Sequence, residues 1–111
     1  MVIEREIRKL VLDNGRIPFD EWYRTLLDKK MRASVGIRLN RVRLGNFGDS
    51  KPVGSGVSEL RIDLGPGLRI YYGAHSGRIV LLLGGGDKRT QQRDINNAIA
   101  WWKQWKASKD L

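Results

Sequence analysis

The sequence predicts an α+β domain in which a helical hairpin precedes a small antiparallel sheet and a further helix follows it. Three observations carry this. Between Val57 and Leu83, apolar residues alternate with polar ones or run unbroken for a few positions between Gly-rich stops, the pattern of short strands. Ahead of that region Leu27, Met31, Val35, Leu39 and Val42 recur every three or four residues, as on one side of a helix. Behind it Ile95, Ala98, Ile99, Trp102 and Trp105 do the same. At 111 residues the chain supports one core, so residues 1–111 are expected to form a single domain.

In residues 2–12 the apolar set Ile3, Ile7, Leu10 and Val11 fits a helix, while Ile3, Ile7 and Val11 also share strand parity, and periodicity alone leaves both open. Asp13-Asn14-Gly15-Arg16 is a turn signal. Pro18-Phe19 followed by Asp20 and Glu21 predicts a helix starting near Asp20, with acids in its first turn where the macrodipole favours them. That helix carries Phe19, Trp22, Tyr23, Leu26 and Leu27 inward and breaks or bends around Asp28. The second helix runs to about Leu44, flanked by Lys29, Lys30, Arg32, Arg38, Arg41 and Arg43, and Gly45-Asn46 stops it. Asn46 to Gly56 reads as a Gly/Ser/Pro-bearing loop, in which Lys51 has no evident structural duty.

The sheet begins with Leu60, Ile62 and Leu64 alternating with Glu59, Arg61 and Asp63, so one face enters a core and the other is expected to stay polar. Gly65-Pro66-Gly67 reverses the chain into Leu68–Gly73. A hairpin without a bulge then puts Arg69 and Tyr71 on the face of Arg61. The turn-like Ala74-His75-Ser76-Gly77 leads to a third run, Arg78 to Leu83, apolar on both parities and so expected inside the sheet with both faces covered. His75 reads as a turn residue at the far end of the hairpin. Gly84-Gly85-Gly86 lacks the GxxxxGK[ST] spacing of a phosphate-binding loop. The glycines are expected to let backbone approach a ligand or the strand exit sharply, leaving Asp87, Lys88 and Arg89 at the mouth of the polar face. Thr90 is the expected cap of the last helix. The three tryptophans of this helix have the rings to stack bases, but Trp102 and Trp105 lie on its apolar stripe and are expected as core or partner-interface residues, while Trp101 lies off it.

Charge narrows the function. Lys and Arg number 21 against 12 acids, a formal charge of +9, and the natural partner of such a surface is a polyanion. No apolar stretch approaches the length of a membrane span, and Met1 to Leu12 has no uninterrupted apolar segment of the secretory kind, so a cytoplasmic location without membrane partners is expected. The absence of cysteine and the single histidine leave no thiolate chemistry, no histidine cluster for a metal and no Ser/His pair. Catalysis, if present, falls to Lys, Arg, Tyr or carboxylates, with neither metal nor cofactor expected. A single strand arginine is ordinarily solvated charge; Arg61, Arg69, Tyr71 and Lys88 gathered on one face are more than that.

The order of Phe19-x-x-Trp22, Leu27-Asp28, Arg38-Leu39, Gly45-Asn46-x-Gly48-Asp49-x-Lys51, Ser58-Glu59-Leu60-Arg61-Ile62, Gly65-Pro66-Gly67-x-Arg69-x-Tyr71-Tyr72 and Gly85-Gly86-Asp87-Lys88-x-Thr90-Gln91 resembles the HigB-like "addiction module killer protein" branch of the RelE/ParE toxins. The resemblance spans most of the chain. It implies a RelE-like fold with an N-terminal strand and two helices packed on a twisted antiparallel sheet, and so favours the strand for residues 2–12. It also implies the toxin of a type II toxin–antitoxin pair, paired with a DNA-binding helix-turn-helix antitoxin. RelE-like members cleave mRNA on the ribosome without a metal, using Lys, Arg and Tyr side chains. By position, Arg61 stands where such toxins place a basic strand residue, Arg69 at the arginine of their G-Y-R-like motif, and Lys88 at the basic residue after the last strand. Two departures stand out: Glu59 occupies the place of a second lysine, and no tyrosine or histidine aligns with the C-terminal catalytic residue. The ParE branch, which poisons DNA gyrase, shares the fold.

RNA carries its own nucleophile, so metal-free cleavage requires activation of a 2′-OH, stabilisation of a phosphorane and protonation of the 5′-oxygen. Arg61 and Arg69 suit the phosphorane, since a guanidinium fork matches two phosphate oxygens. Lys88 or Tyr71 is expected to move protons if neighbouring positive charge lowers its pKa, with Glu59 as a reserve base. Lys51, Arg89, Arg38, Arg41 and Arg43 are the expected RNA-binding cations around them. A plain RNA-binding module and a non-enzymatic gyrase inhibitor are the rival readings.

Overall fold

The computed structural model describes residues 3–109, so Val2 of the N-terminal run lies outside the described residues. The elements are β1 (Glu6–Lys9), α1 (Pro18–Arg24), α2 (Lys29–Arg43), β2 (Ser50–Gly54), β3 (Val57–Ile62), β4 (Leu68–His75), β5 (Ile79–Asp87), a 3-10 turn (Lys88–Thr90) and α3 (Gln91–Lys109). The α+β class and the C-terminal helix are as the sequence predicts. The sheet has five strands in the order β1-β5-β4-β3-β2 and is mixed rather than wholly antiparallel, because β1 pairs parallel to β5, Glu6 opposite Ile79 through Lys9 opposite Leu82. From β1 the chain crosses through α1 and α2 to the far edge, and consecutive hairpins then bring it back. A strand reached only after that crossing is free to pair in parallel.

Local chemistry sets the helix ends. Pro18 sits at the start of α1, where its missing N–H costs nothing. Asp28 ends the first helical segment and begins the second: its carboxylate accepts from the backbone N–H of Lys30 and Met31 at 2.7 and 3.1 Å. Leu27, expected on the buried stripe, is 85% exposed because it falls in the connection that this cap creates.

The stretch Asn46–Gly56, expected to be a loop, contains β2, which pairs with β3 along the edge of the sheet. Pro52 is tolerated there because an edge strand has one unpaired side. A Ser-Lys-Pro-Val-Gly strand has no apolar alternation to betray it.

Two cores result, one on each face. Val35 and Val42 of α2 and Phe19 of α1 pack with Leu60, Ile62, Leu68, Ile70, Tyr72, Val80 and Leu82. On the other face Ala98 and Trp102 of α3 pack with Val57, Tyr71, Leu81, Leu83 and Leu10. Strand β5 feeds alternate residues to both cores, as its unbroken apolar run predicts. The face expected to stay open and polar is therefore covered by α3 along much of its length. Its fit needs missing side chains. A Cβ on Gly73 would lie 2.5 Å from the Trp102 ring, and one on Gly85 would lie 2.2 Å from Trp22 on the opposite face. A Cβ on Gly86 would lie 1.9 Å from the Asp94 carboxylate. The glycine run thus serves close packing by α1 and α3. The cap before α3 is Asp87, whose carboxylate accepts from Arg89 N–H at 2.8 Å, not Thr90, whose hydroxyl donates to Asp94 at 2.5 Å. No helix among the described residues is long and apolar enough to cross a membrane.

Candidate functional site

Strands β3 and β4 pair without a bulge, with Glu59 opposite Tyr71 and Arg61 opposite Arg69. The four side chains share a face, as the hairpin parity predicts. Glu59 and Tyr71 are fully covered, whereas at the hairpin end of the sheet Arg61 is partly exposed and Arg69, though mostly buried, lines an opening. There a cleft of about 610 Å³ is bounded by Arg61, Arg69, Lys88, Asp49, Asp63 and the Gly65-Pro66-Gly67 turn.

Arg69 is 8% exposed and has no carboxylate within ion-pair distance among the described residues. One Nη donates to the Gly67 carbonyl at 2.7 Å, while its Nε is buried without a partner among the described residues. Gly67 makes the contact possible, since it takes a φ of +81° and a Cβ there would stand 2.8 Å from the Arg69 Nη1. Arg61 is held from the side by Asp49, whose Oδ1 accepts from Nη2 at 2.9 Å and from Nε at 3.2 Å. Lys88 is exposed and makes no ion pair among the described residues; its backbone N–H reaches the Pro66 carbonyl at 3.4 Å, tying the 3-10 turn to the hairpin tip. Three cations from three elements thus converge on one opening, and their guanidinium and ammonium donors suit a phosphodiester.

The other expected site residues divide. Tyr71 is the reverse of a poised acid or base. Burial, reinforced by the negative charges of Glu59 and Asp94, pushes its phenol well above the ordinary tyrosine value. Its hydroxyl meets no partner at good hydrogen-bond geometry among the described residues, although the Glu59 carboxylate lies near enough to add to the upward shift. Glu59 is equally inaccessible and is met by the Gln91 amide at 3.2 and 3.3 Å. Neither residue has a path to substrate in this arrangement, because the first turns of α3 lie on them.

Arg38, expected on RNA, is spent on the fold. Its guanidinium donates to the carbonyls of Arg61 at 2.5 Å, Phe47 at 2.9 Å and Asp49 at 3.1 Å, which fixes the segment that carries Asp49. Arg43 lies away from the cleft, paired with Glu4 at 2.9 Å beside the start of β1. Arg41 is exposed on α2 and does not line the cleft. Lys51 is exposed on edge strand β2 opposite Glu59, and Arg89 is 80% exposed and paired with Asp87 at 2.8 Å. Arg89 in turn holds the Asp87 carboxyl below its ordinary pKa. His75 ends β4 with its ring edge-on to Trp105 at 5.2 Å, away from the cleft.

Asp49, Asp63 and Asp94 were given no role by sequence reasoning. Asp49 sits 12 residues before the arginine it holds, in the bend just ahead of an edge strand that has no readable periodicity, so no spacing signals the pair. Asp94, by contrast, lies three residues after Gln91 at the start of a helix whose apolar stripe must cover a sheet face, and that placement is readable.

No family model matches the chain, and no solved structure matches it. It is 45% identical over 82 residues to an uncharacterized protein of Haemophilus influenzae (strain ATCC 51907 / DSM 11121 / KW20 / Rd), a match covering 74% of this chain and 83% of that protein. The chain belongs to the same family as that Haemophilus influenzae protein.

Proposed function

We propose that this chain is a RelE/ParE-type toxin of a type II toxin–antitoxin pair, a metal-independent endoribonuclease that cuts mRNA on the ribosome and arrests translation. The observation that carries the proposal is the opposition of Arg61 and Arg69 across β3 and β4, with Lys88 on the same cleft. The resemblance of the surrounding sequence blocks to HigB-like toxins supports it. The partners are mRNA, the ribosome and a helix-turn-helix antitoxin that covers the basic cleft, all in the cytoplasm.

In this reaction the 2′-oxygen attacks phosphorus in line, its proton passes to solvent, and the P–O5′ bond breaks to leave a 2′,3′-cyclic phosphate. Arg61 and Arg69 stabilise the charge that builds on the non-bridging oxygens. Lys88 gives a proton to the departing 5′-oxygen, since it is the one proton-transfer candidate of the three that solvent reaches.

Primer extension across several transcripts, after brief induction in cells without antitoxin, tests this directly against Arg69→Ala. New 5′ ends inside translated codons, absent in the variant, are the expected result. Growth arrest with intact transcripts and broken DNA would replace the nuclease with a gyrase-type inhibitor. Folded protein with neither effect would leave RNA binding alone.

A further inference from the structure

The cleft bounded by Arg61, Arg69 and Lys88 also holds a carboxylate that the reaction above leaves unused, that of Asp63. We propose that Asp63 is the general base of that reaction, taking the 2′-hydroxyl proton on its way to solvent; the assignment rests on the ribonuclease reading above.

Nothing in the fold engages Asp63. It is exposed, and among the described residues its side chain makes no ion pair and accepts no hydrogen bond. An aspartate beside a turn ordinarily accepts from the turn's backbone. Here the Leu64 N–H goes to the Ile62 carbonyl and the Gly67 N–H to the Leu64 carbonyl. Nearby carboxylates are occupied or covered: Asp49 holds Arg61, Asp87 caps the 3-10 turn and pairs with Arg89, and Glu59 is buried. In a cleft that only binds phosphate a free carboxylate is a defect, because it repels the ligand that three cations attract. As a proton acceptor it has a use.

Its place in the sheet suits in-line transfer. The last β3–β4 pair is Ile62 with Leu68, and Leu68 in turn faces Asp87 of β5. Continuing that register, Asp63, Gly67 and Lys88 form the next row, on the face that Arg61 and Arg69 share. A Cβ on Gly67 would meet Lys88 Cβ at 3.9 Å and Arg69 Nη1 at 2.8 Å, so the guanidinium lies over the middle of the row. Asp63 and Lys88 flank it on opposite sides, their backbones two strand spacings or about 10 Å apart. In-line displacement needs base and acid on opposite sides of phosphorus, and groups hydrogen-bonded to the entering and leaving oxygens stand about 9 Å from each other.

As the 2′-oxygen attacks, the Asp63 carboxylate takes its proton. The O2′–P bond forms, the P–O5′ bond breaks with its electron pair on O5′, and the Lys88 ammonium protonates that oxygen. Asp63 then gives its proton to solvent and Lys88 regains one.

The test compares wild type with Asp63→Asn in single-turnover cleavage of end-labelled mRNA on programmed ribosomes at several pH values. Binding is measured with the same mRNA carrying a 2′-deoxy nucleotide at the position that wild type cuts. The charged groups that share the cleft with Asp63, which are Arg61, Arg69, Lys88 and Asp49, are the same in both proteins. The variant should bind the 2′-deoxy mRNA at least as tightly as wild type and cut about 100- to 10,000-fold more slowly near neutral pH. Its remaining rate should climb about tenfold per pH unit as hydroxide replaces the lost base, against a flat wild-type profile between about pH 6.5 and 8.5. Asp63→Glu should recover part of the rate, and a thermal melt that matches wild type is the folding control. Cleavage by Asp63→Asn within about threefold of wild type, a loss that tracks weaker binding, or the same deficit at every pH would each overturn the assignment. If wild type itself leaves the mRNA whole, the ribonuclease reading fails and this base with it; a cutting wild type beside an equally active Asp63→Asn costs Asp63 alone.

Discussion

Replacing Arg69 by lysine separates a catalytic guanidinium from a structural one. In the fold the substitution removes one charge-assisted hydrogen bond, from Nη1 to the Gly67 carbonyl at 2.7 Å, worth about 1.5–3 kcal/mol. It also removes a buried Nε that has no partner, whose presence costs about 1–3 kcal/mol. The two nearly cancel, so stability should stay within about 1 kcal/mol of wild type and the melting temperature within about 6 °C. In the reaction the change costs far more. A single ammonium cannot both rest on Gly67 and present a planar pair of donors to the phosphorane, and loss of one preorganised donor is worth about 100- to 1,000-fold in rate, or about 3–4 kcal/mol. Single-turnover cleavage of end-labelled mRNA on programmed ribosomes measures the rate, and a thermal melt measures the fold. Wild-type cleavage by Arg69→Lys, or a melting temperature lower by well over 10 °C, would refute the division of labour drawn from the cleft.

Three other substitutions bear on the surrounding frame. Gly85→Ala places a methyl 2.2 Å from Trp22 and should destabilise by about 1–3 kcal/mol through overpacking, read as a lower urea midpoint with an unchanged slope. Arg38→Ala strips donors from three backbone carbonyls and should cost about 2 kcal/mol in the same assay, while loosening the Asp49 that holds Arg61. Tyr71 is neutral in the fold with a raised pKa, so its contribution to stability is complete below the ordinary phenol value of about 10 and declines as pH rises past it. Tyr71→Phe should flatten that alkaline decline in a series of melts at increasing pH, without loss at neutral pH.

Sequence pattern resolved those parts of the molecule whose environment follows from parity. The β3–β4 register and the Arg61–Arg69 opposition came from alternation about Gly65-Pro66-Gly67. The two-sided burial of β5 came from its unbroken apolar run. What alternation misjudged was the fate of the polar face, since Glu59 and Tyr71 look solvent-facing in one dimension. The correction was present in the chain: the stripe of Ala98 and Trp102 needed a surface, and the face opposite the α1–α2 hairpin was the one left. Arg38 and Arg43 were beyond such reasoning. A guanidinium donating to backbone carbonyls and one paired with a distant Glu4 look the same, in a helix sequence, as a solvated charge.

The number of surface cations that grip RNA sets the salt dependence of binding. Single-stranded RNA releases counterions as phosphates are neutralised, and log K falls with log salt by about 0.7 per phosphate contacted. In the cleft Arg69 and Lys88 have no carboxylate partner among the described residues, and the partner of Arg61 is Asp49, whose side chain is 56% exposed and open to competition from phosphate. Binding confined to the cleft therefore engages three cations and predicts a slope near −2 for a short oligonucleotide. Arg69→Ala should make it shallower by about 0.7. If Lys51, Arg41 and Arg89 also grip the chain, the slope steepens to about −4 and each of those substitutions reduces it in turn. A slope of about −2 unaffected by Arg69→Ala would place the RNA elsewhere on the surface, and the cleft would lose its claim to the phosphate.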